Sequence, residues 1–458
     1  MSDKVLSLAD ARKEALKDTA ARQRLAALFD PETFTEIGGL VKTGCDGAGV
    51  VTGCGLIEGA PVYAFSQDIS EKSGAVGQAH GSKIKKLYDL AYKTGAPVVG
   101  IYDSNGAAVA EGLDAMAAYG EMLCWSNNLS GVVPQVSLVL GVCAGPAAML
   151  AASADFVVMS EQAEFFLNAG DEDASDGEAC AKAGIAHLVE KDEASAIASA
   201  RRLLSMLPCN NLSAPPICDF SAPGAAVNAG GSLWEAIRAS VDDGSLLELQ
   251  EGFCTDSAKV GLATMAGSTI GVVAASENGV LTSGGCTKIA RFVTVCDSFQ
   301  IPVVTFVDCE KFAAPQGHCF KGGVREVAKL AHVYAEATTP KVAVIAGKAY
   351  GSAYVALAGR GANADYAIAW PNAVISALSP ATAVAFMKGA QITAEKDRAA
   401  VEAEYAATEA GALAAAAKGH IDDVVDPSET RGALITALDM LAGKRVSTLP
   451  KKHGNIPL

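Results

Sequence analysis

The sequence is short of positive charge, of closely spaced cysteine and histidine, and of any motif for a side-chain nucleophile. Thirty-six Lys and Arg stand against 51 Asp and Glu, a formal net charge of −15. That balance excludes wrapping around nucleic acid or anionic lipid, which need a basic surface to displace counterions. A local basic site for a small anionic ligand is still permitted. The twelve cysteines are scattered, with no CxxC pair, so neither a zinc site nor a disulfide framework is indicated. Buried free thiols in a reducing compartment are the expectation. The six histidines form no cluster and there is no GxSxG, so no metal site and no nucleophile elbow are expected. From Met122 to Ala154 there is no charged residue, a length that raises a membrane span. Asn127, Asn128, Pro134, Gln135 and Pro146 break it up, and QVSLVLGVCAG reads as a buried strand ending in a tight turn. The opening MSDKVLSLADARKEALKD is charged and helical in pattern, unlike a secretory signal. A cytoplasmic location is expected.

What is present is apolar bulk and small residues. Of the 458 residues 50% are hydrophobic and 19% charged, enough for sizeable cores and, at this length, for two domains of about 200 residues. Forty-six glycines and abundant alanine suit helices packed closely on sheets, a layered α/β protein.

An internal repeat organises the chain. HGSKIKKLYDLAYKTGAPVVGIYDSNG, from His80, matches GCTKIARFVTVCDSFQIPVVTFVDCEK, from Gly285, without a gap. Lys83-Ile84 pairs with Lys288-Ile289, Pro97-Val98-Val99 with Pro302-Val303-Val304, and Asp103 with Asp308, always 205 residues apart. Each copy reads as an amphipathic helix, a proline stop and a β-branched strand ending at an Asp. The match continues from Pro134 and Pro340 through strand, glycine turn, alanine-rich helix and a second strand after Asp155 and Asp365. Upstream, hairpins are expected at Glu58-Gly59 and Ala266-Gly267. LPCNNLSAPPICDFSAPGAAVNAGG reads as the linker, with the boundary near 208–230 and domains at 1–215 and 228–458. Ala414–Ala417 reads as helix. Lys83 and Lys288 recur in both copies and point to a shared structural role.

The chemistry is expected at two matched strand-to-helix turns, Ala144-Gly145-Pro146-Ala147 and Tyr350-Gly351-Ser352-Ala353. Small residues at a helix start present N–H donors to an oxygen gaining negative charge, which is what an oxyanion hole needs. The plainer alternative, that small residues only let a helix pack on a sheet, loses ground when the turn occurs twice at equivalent positions. A duplicated chain with two such sites suits transfer of a group between two large carriers.

These stretches resemble the carboxyltransferase β-subunits of propionyl-CoA carboxylase and the α-subunits of methylmalonyl-CoA and glutaconyl-CoA decarboxylases. The resemblance is carried by FSQDISEKSGAVGQAHGSKI, GAPVVGIYDSNGA, SGVVPQVSLVLGVCAG, LPCNNL, YAEATTPKVAVIAGKAYGSAY, GHIDDVVDPSETRGAL and KKHGNIPL, which span nearly the whole chain. It implies two tandem crotonase-like (ClpP/crotonase) domains, the N-terminal one for acyl-CoA and the C-terminal one for biotin. It implies antiparallel pairing of subunits, as a dimer or within a hexamer, with the active site between subunits. Carried onto this chain, Gly145, Pro146 and Ala147 would face the thioester enolate, and Gly351, Ser352 and Ala353 the biotin ureido oxygen. Ser104, Asn105, Gly106 and Ala107 would border the acyl-CoA, and Tyr350, Gly317 and His318 the biotin. Neither a biotinylation motif nor an ATP-grasp pattern is present, so biotin is expected on a carrier protein, with a biotin carboxylase or a membrane decarboxylase subunit as further partner. Peripheral attachment to the inner membrane would then come through such a partner. The acyl-CoA is expected to be short, of the propionyl-CoA and methylmalonyl-CoA class.

The departures from the family pattern bear on substrate choice. Pro146 stands where a second glycine is usual and has no N–H to donate. DSGGAR becomes Asp103-Ser104-Asn105-Gly106-Ala107-Ala108, without the arginine. The segment after Leu167 is abbreviated and acidic, and Cys309-Glu310-Lys311-Phe312 replaces a Pro-Gly-rich loop. Arg291, Lys321 and Arg325 could meet phosphate or carboxylate groups, but solvated helix faces explain such charges more simply. Two other readings are kept open: a biotin-independent crotonase-type CoA enzyme using Glu111 or Asp114 as base, and a non-catalytic subunit that Pro146 has disarmed.

Overall fold

The computed structural model describes residues 7–43, 46–168, 175–313, 322–447 and 449–457. By contacts the chain divides into two compact units, Met1–Pro215 and Pro216–Leu458. Residues 216–227 go with the second: Ile217 bridges Ser268, Cys218 donates to Gly267 O at 2.8 Å and Ser221 O accepts from Asp243.

Each unit is built on an eight-stranded sheet of the same topology. In the first, the order is Thr35–Ile37, Val50–Ile57, Ala60–Gln67, Val98–Ser104, Gln135–Ala144, Phe156–Ser160 and Leu188–Glu190, with Glu164–Phe166 paired to the end of Gln135–Ala144. In the second it is Leu247–Leu249, Ala258–Met265, Ser268–Leu281, Val303–Phe312, Lys341–Tyr350, Tyr366–Ala369 and Asp423–Val424, with Val374–Ser376 paired to Lys341–Tyr350. The first two pairings are antiparallel and the rest parallel in both. Parallel strands buried on both faces need continuous apolar runs, and all seven residues of Val98–Ser104 are buried. The middle of the uncharged stretch, Gln135–Ala144, is therefore sheet interior, with the helices Leu113–Leu129 and Pro146–Ala152 on either side of it in the chain. No helix among the described residues is long and apolar enough to cross a membrane.

The local signals act as their chemistry dictates. The hairpins close on two-residue turns, Ile57 opposite Ala60 and Met265 opposite Ser268. Their central residues all have positive φ, 49° and 79° for Glu58 and Gly59, 50° and 81° for Ala266 and Gly267, as a turn matching the strand twist requires. A buried or half-buried carboxylate caps each. Asp30 accepts from Glu58 N and Gly59 N, Asp242 from Ala266 N and Gly267 N. An arginine late in each unit holds each carboxylate, Arg201 to Asp30 at 2.7 Å and Arg431 to Asp242 at 2.5 Å. The same arginines also donate to Leu28 O and Ser240 O. No sequence pattern announced these pairs, because their members drift to different offsets.

The repeated helices, Gln78–Thr94 and Ser283–Ser298, each bury a lysine. Lys83 Nζ donates to Val50 O at 2.6 Å, and Lys288 Nζ to Gln250 O and Phe253 O, both at 2.9 Å. They are 7% and 1% exposed, and burial pushes each ammonium down to about 8, since low dielectric disfavours the charged form. A lysine at about 8 folded and near 10.5 unfolded binds fewer protons in the folded chain between those values, so stability rises with pH across that window. The gain is complete above the unfolded value and is lost as pH falls through about 8. Urea unfolding of wild type and of Lys83→Met/Lys288→Met, from pH 7.5 to 10, should therefore show the wild type gaining on the double variant as pH rises; parallel curves would contradict it.

Candidate active site

Each candidate turn follows a ten-residue strand in the parallel part of its sheet, at the carboxyl end. Gly145 (φ 62°, ψ −131°) ends Gln135–Ala144 and caps the helix Pro146–Ala152; Gly351 (φ 49°, ψ −121°) ends Lys341–Tyr350 and caps Ser352–Leu357. The chain passes from strand to helix in one residue, through a conformation a Cβ opposes, so glycine is required. The N–H of each glycine is taken: Gly145 donates to Phe166 O and Gly351 to Ser376 O, both at 2.9 Å. Neither glycine is thus a donor to a ligand.

The next residues differ between the copies. Pro146 occupies the first helical position, which suits its ring but leaves no N–H. Ala148 N turns back to Gly145 O at 3.0 Å. Ala147, 1% exposed, is the residue of this turn whose N–H keeps no partner among the described residues. In the second unit Ser352 and Ala353 both keep theirs, since the first N–H groups of a helix have no carbonyl four residues back. Ser352 is exposed and Ala353 buried. The first unit therefore offers fewer backbone donors than the second.

A neighbouring segment lies beside the first turn. Ser104 lies opposite Cys143. Its hydroxyl donates to Gly74 O at 2.7 Å and accepts from Gly106 N at 3.1 Å. Asn105 is exposed, its N–H bound to Ser73 O. A parallel bridge joins Val76 to Ala107: Val76 N donates to Gly106 O and Ala108 N to Val76 O, both at 2.9 Å. The N–H of Ala107 itself faces away from that bridge. Gly106 comes so close to the end of the central strand that a Cβ there would lie 3.8 Å from Ala144 O. The structure thus brings Ser104, Asn105, Gly106 and Ala107 beside the Gly145 turn.

Around the second turn, Tyr350 is half-buried, and burial, reinforced by Glu310 and Asp308, raises its phenol above the usual range against the pull of Lys348. Lys348 pairs with Glu310. A cavity of about 420 Å³ opens against Gly351, lined also by Tyr354, Val355, Ile375, Tyr405 and His420. Gly317, His318 and Lys321 lie outside the described residues. Arg325 is exposed and pairs with Glu326. Among the described residues no group of His, Cys, Asp and Glu could hold a metal. The two carboxylates considered as a base fare differently. Glu111 accepts from Gln78 N at 2.7 Å, at the start of the helix Gln78–Thr94. Asp114 is exposed in the first turn of Leu113–Leu129.

Two glycines were missed in reading the sequence for chemistry. Next to each turn the central strand bulges: residues 102 and 104 pair with 139 and 143, residues 307 and 309 with 345 and 349. Gly141 and Gly347 sit in the bulges. A Cβ on Gly141 would lie 2.1 Å from Asp103 Oδ1, and one on Gly347 2.4 Å from Asp308 Oδ1. The signal was available, because both glycines stand four residues before the turn glycine in matched strands.

Two copies of one α/β unit, each with a glycine turn from its central strand into a helix, define a duplicated α/β class of protein. The carboxyl transferase domain family matches residues 16–456. The chain belongs to that family, and its units are a tandem pair of crotonase-like domains. It is 36% identical to the methylmalonyl-CoA decarboxylase α-subunit of Veillonella parvula, over 98% of this chain and 94% of that one. It is 37% identical to the propionyl-CoA carboxylase β chain of Saccharopolyspora erythraea, over 98% and 92%. A crystal structure of transcarboxylase 12S, a hexamer with methylmalonyl-coenzyme A and methylmalonic acid bound, superposes with a TM-score of 0.89 at 33% identity, covering 98% of this chain and 94% of that one.

Because Asp103 is held by Arg24 and Asp308 by the backbone N–H of Lys348, Gly141→Ala and Gly347→Ala should each destabilise the folded chain by about 1–3 kcal/mol, the cost of an over-packed site. Urea denaturation would measure it, and a wild-type midpoint would show that the carboxylates can yield.

Proposed function

We propose that this chain transfers a carboxyl group between biotin, carried on a partner protein, and a short-chain acyl-CoA of the methylmalonyl-CoA and propionyl-CoA class. The observation that carries the reading is the pair of matched strand-to-helix turns in a member of the carboxyl transferase family. The first unit takes the acyl-CoA and the second the biotin.

The residues present fit both groups. Ser352 and Ala353 would hold the ureido oxygen of biotin with two N–H donors, beside a cavity whose wall includes Val355, Ile375 and Tyr354. Ala147 and Ala107 would hold the thioester oxygen of the acyl-CoA. Biotin supplies the ureido nitrogen that carries the carboxyl group. The chain's own contribution is electrostatic: fixed dipoles aimed where negative charge develops, with no reorganisation at the moment of reaction. Met149 and Val355, at matched positions one turn into each helix, are 54% and 59% exposed and give each turn an apolar flank.

The partners follow from this chemistry. A biotin carrier protein brings the carboxyl group, and a biotin carboxylase or a membrane decarboxylase subunit sets the direction of flow. The chain itself works as a homo-oligomer in the cytoplasm, at the inner membrane where its partner is a membrane subunit. Exposed apolar side chains such as Val355, Phe386 and Met387 suit burial against other subunits. Use of Glu111 as the base of a biotin-independent enzyme is disfavoured by its bond to Gln78 N.

The test is transfer from methylmalonyl-CoA, malonyl-CoA and glutaconyl-CoA to free biotin by the purified chain. Transfer from methylmalonyl-CoA is expected. Ser352→Pro, which removes an N–H from the biotin side, should lower kcat by about 10²–10³-fold, and Pro146→Gly, which restores one on the acyl side, should raise it. No transfer from any of the three by folded, oligomeric protein would sink the proposal and leave a biotin-independent or inactive subunit.

A further inference from the structure

We propose that Arg24 is a positioning residue for the acyl-CoA half of the site, holding the 104–107 segment in place through Asp103. The inference rests on the first unit being the acyl-CoA side. Arg24 lies on the helix Ala20–Leu28 and is 8% exposed. Its Nη1 donates to Asp103 Oδ2 at 2.7 Å; its Nε and Nη2 donate to the two oxygens of Glu193 at 2.9 and 2.5 Å. A guanidinium is costly to bury unless its donors are met, and its planar fork fixes the direction of each bond. Asp103 is 6% exposed and equally confined. Its N–H is held by Gln67 Oε1 at 3.0 Å, and its Oδ1 lies against the bulge at Gly141.

The next residue is Ser104, whose hydroxyl ties Gly74 and Gly106 together, and Gly106 abuts Ala144. Fixing Asp103 therefore fixes the start of the segment that carries the Ala107 N–H. This matters more in the first unit than in the second. With Pro146 lacking an N–H, the donors to one oxygen must come from two separate segments, Ala107 on one and Ala147 on the other, so their relative placement decides whether they converge. In the second unit two adjacent residues, Ser352 and Ala353, share one turn. There the equivalent Asp308 has no ion pair among the described residues and accepts the backbone N–H of Lys348 at 2.8 Å. Among the described residues the arginine anchor stands in the first unit alone.

The experiment is steady-state transfer between methylmalonyl-CoA and free biotin by the full chain, with kcat and both KM values, alongside melting temperature. Asp103→Asn keeps the shape of the side chain and removes its charge; Arg24→Met removes the fork; Arg24→Lys keeps a charge within reach of Asp103. The first two should lose kcat by a factor on the order of 10², as a misplacement near 1 Å can cause, with KM for biotin unchanged. Arg24→Lys should recover part of it. Glu193→Gln leaves the Arg24 to Asp103 bond intact and should lower the melting temperature while keeping wild-type kcat. Wild-type kcat in Asp103→Asn, or an equal loss of kcat in Glu193→Gln, would overturn the inference while leaving the carboxyltransferase reading standing. If Arg24→Met fails to fold, the contrast of Asp103→Asn with Glu193→Gln still decides. A wild-type chain that transfers nothing overturns the carboxyltransferase reading and this inference with it.

Discussion

Each unit depends on one abrupt turn, where a buried parallel strand becomes a helix within a single residue. Gly145 and Gly351 adopt positive φ there, and each spends its N–H on a short neighbouring strand, at Phe166 O and Ser376 O. In the helices that follow, the N–H groups of Ala147, Ser352 and Ala353 have no partner among the described residues. Everything else in the unit serves to keep this turn at the end of the central strand: the parallel pairings, the bulges at Gly141 and Gly347, and the carboxylates packed against them.

The scaffold is symmetric where it bears packing and asymmetric around the two glycine turns. Both units bury a lysine that donates to backbone carbonyls, and both brace a hairpin turn with a carboxylate held by an arginine. These devices satisfy donors and acceptors that burial would otherwise leave costly, so either copy loses by abandoning them. At the turns the copies part. Pro146 stands where the second unit has Ser352, Arg24 anchors Asp103 while Asp308 takes a backbone N–H, and Lys348 pairs with Glu310 where the first unit has Val142. Duplication supplied two turns of one design, and the copies diverge at these few positions beside them.

Much of the fold could be read from the chain, because its signals are local. The repeat preserves helix, proline stop and β-branched strand at a constant spacing, and Glu58-Gly59 and Ala266-Gly267 announce their hairpins by turn chemistry alone. The glycine turns were legible for the same reason: a helix start with no bulky side chain is a pattern of adjacent residues. Carboxyltransferase character followed from the density of family-like stretches rather than from any single motif.

What the tertiary structure decided is which of those residues meet and which of their groups are free. Sequence places Gly145 at the turn, but only folding shows that its N–H belongs to Phe166 O while that of Ala147 has no partner among the described residues. Glu111, a plausible base on paper, is spent on the start of a helix reached through more than thirty residues of chain. Arg24, Asp103 and Glu193 come from three distant segments, and no spacing rule connects them. Local backbone chemistry is written in neighbouring residues; hydrogen-bond and ion-pair partnership is settled by burial, which forces each polar group to find whichever partner the packed chain brings within reach.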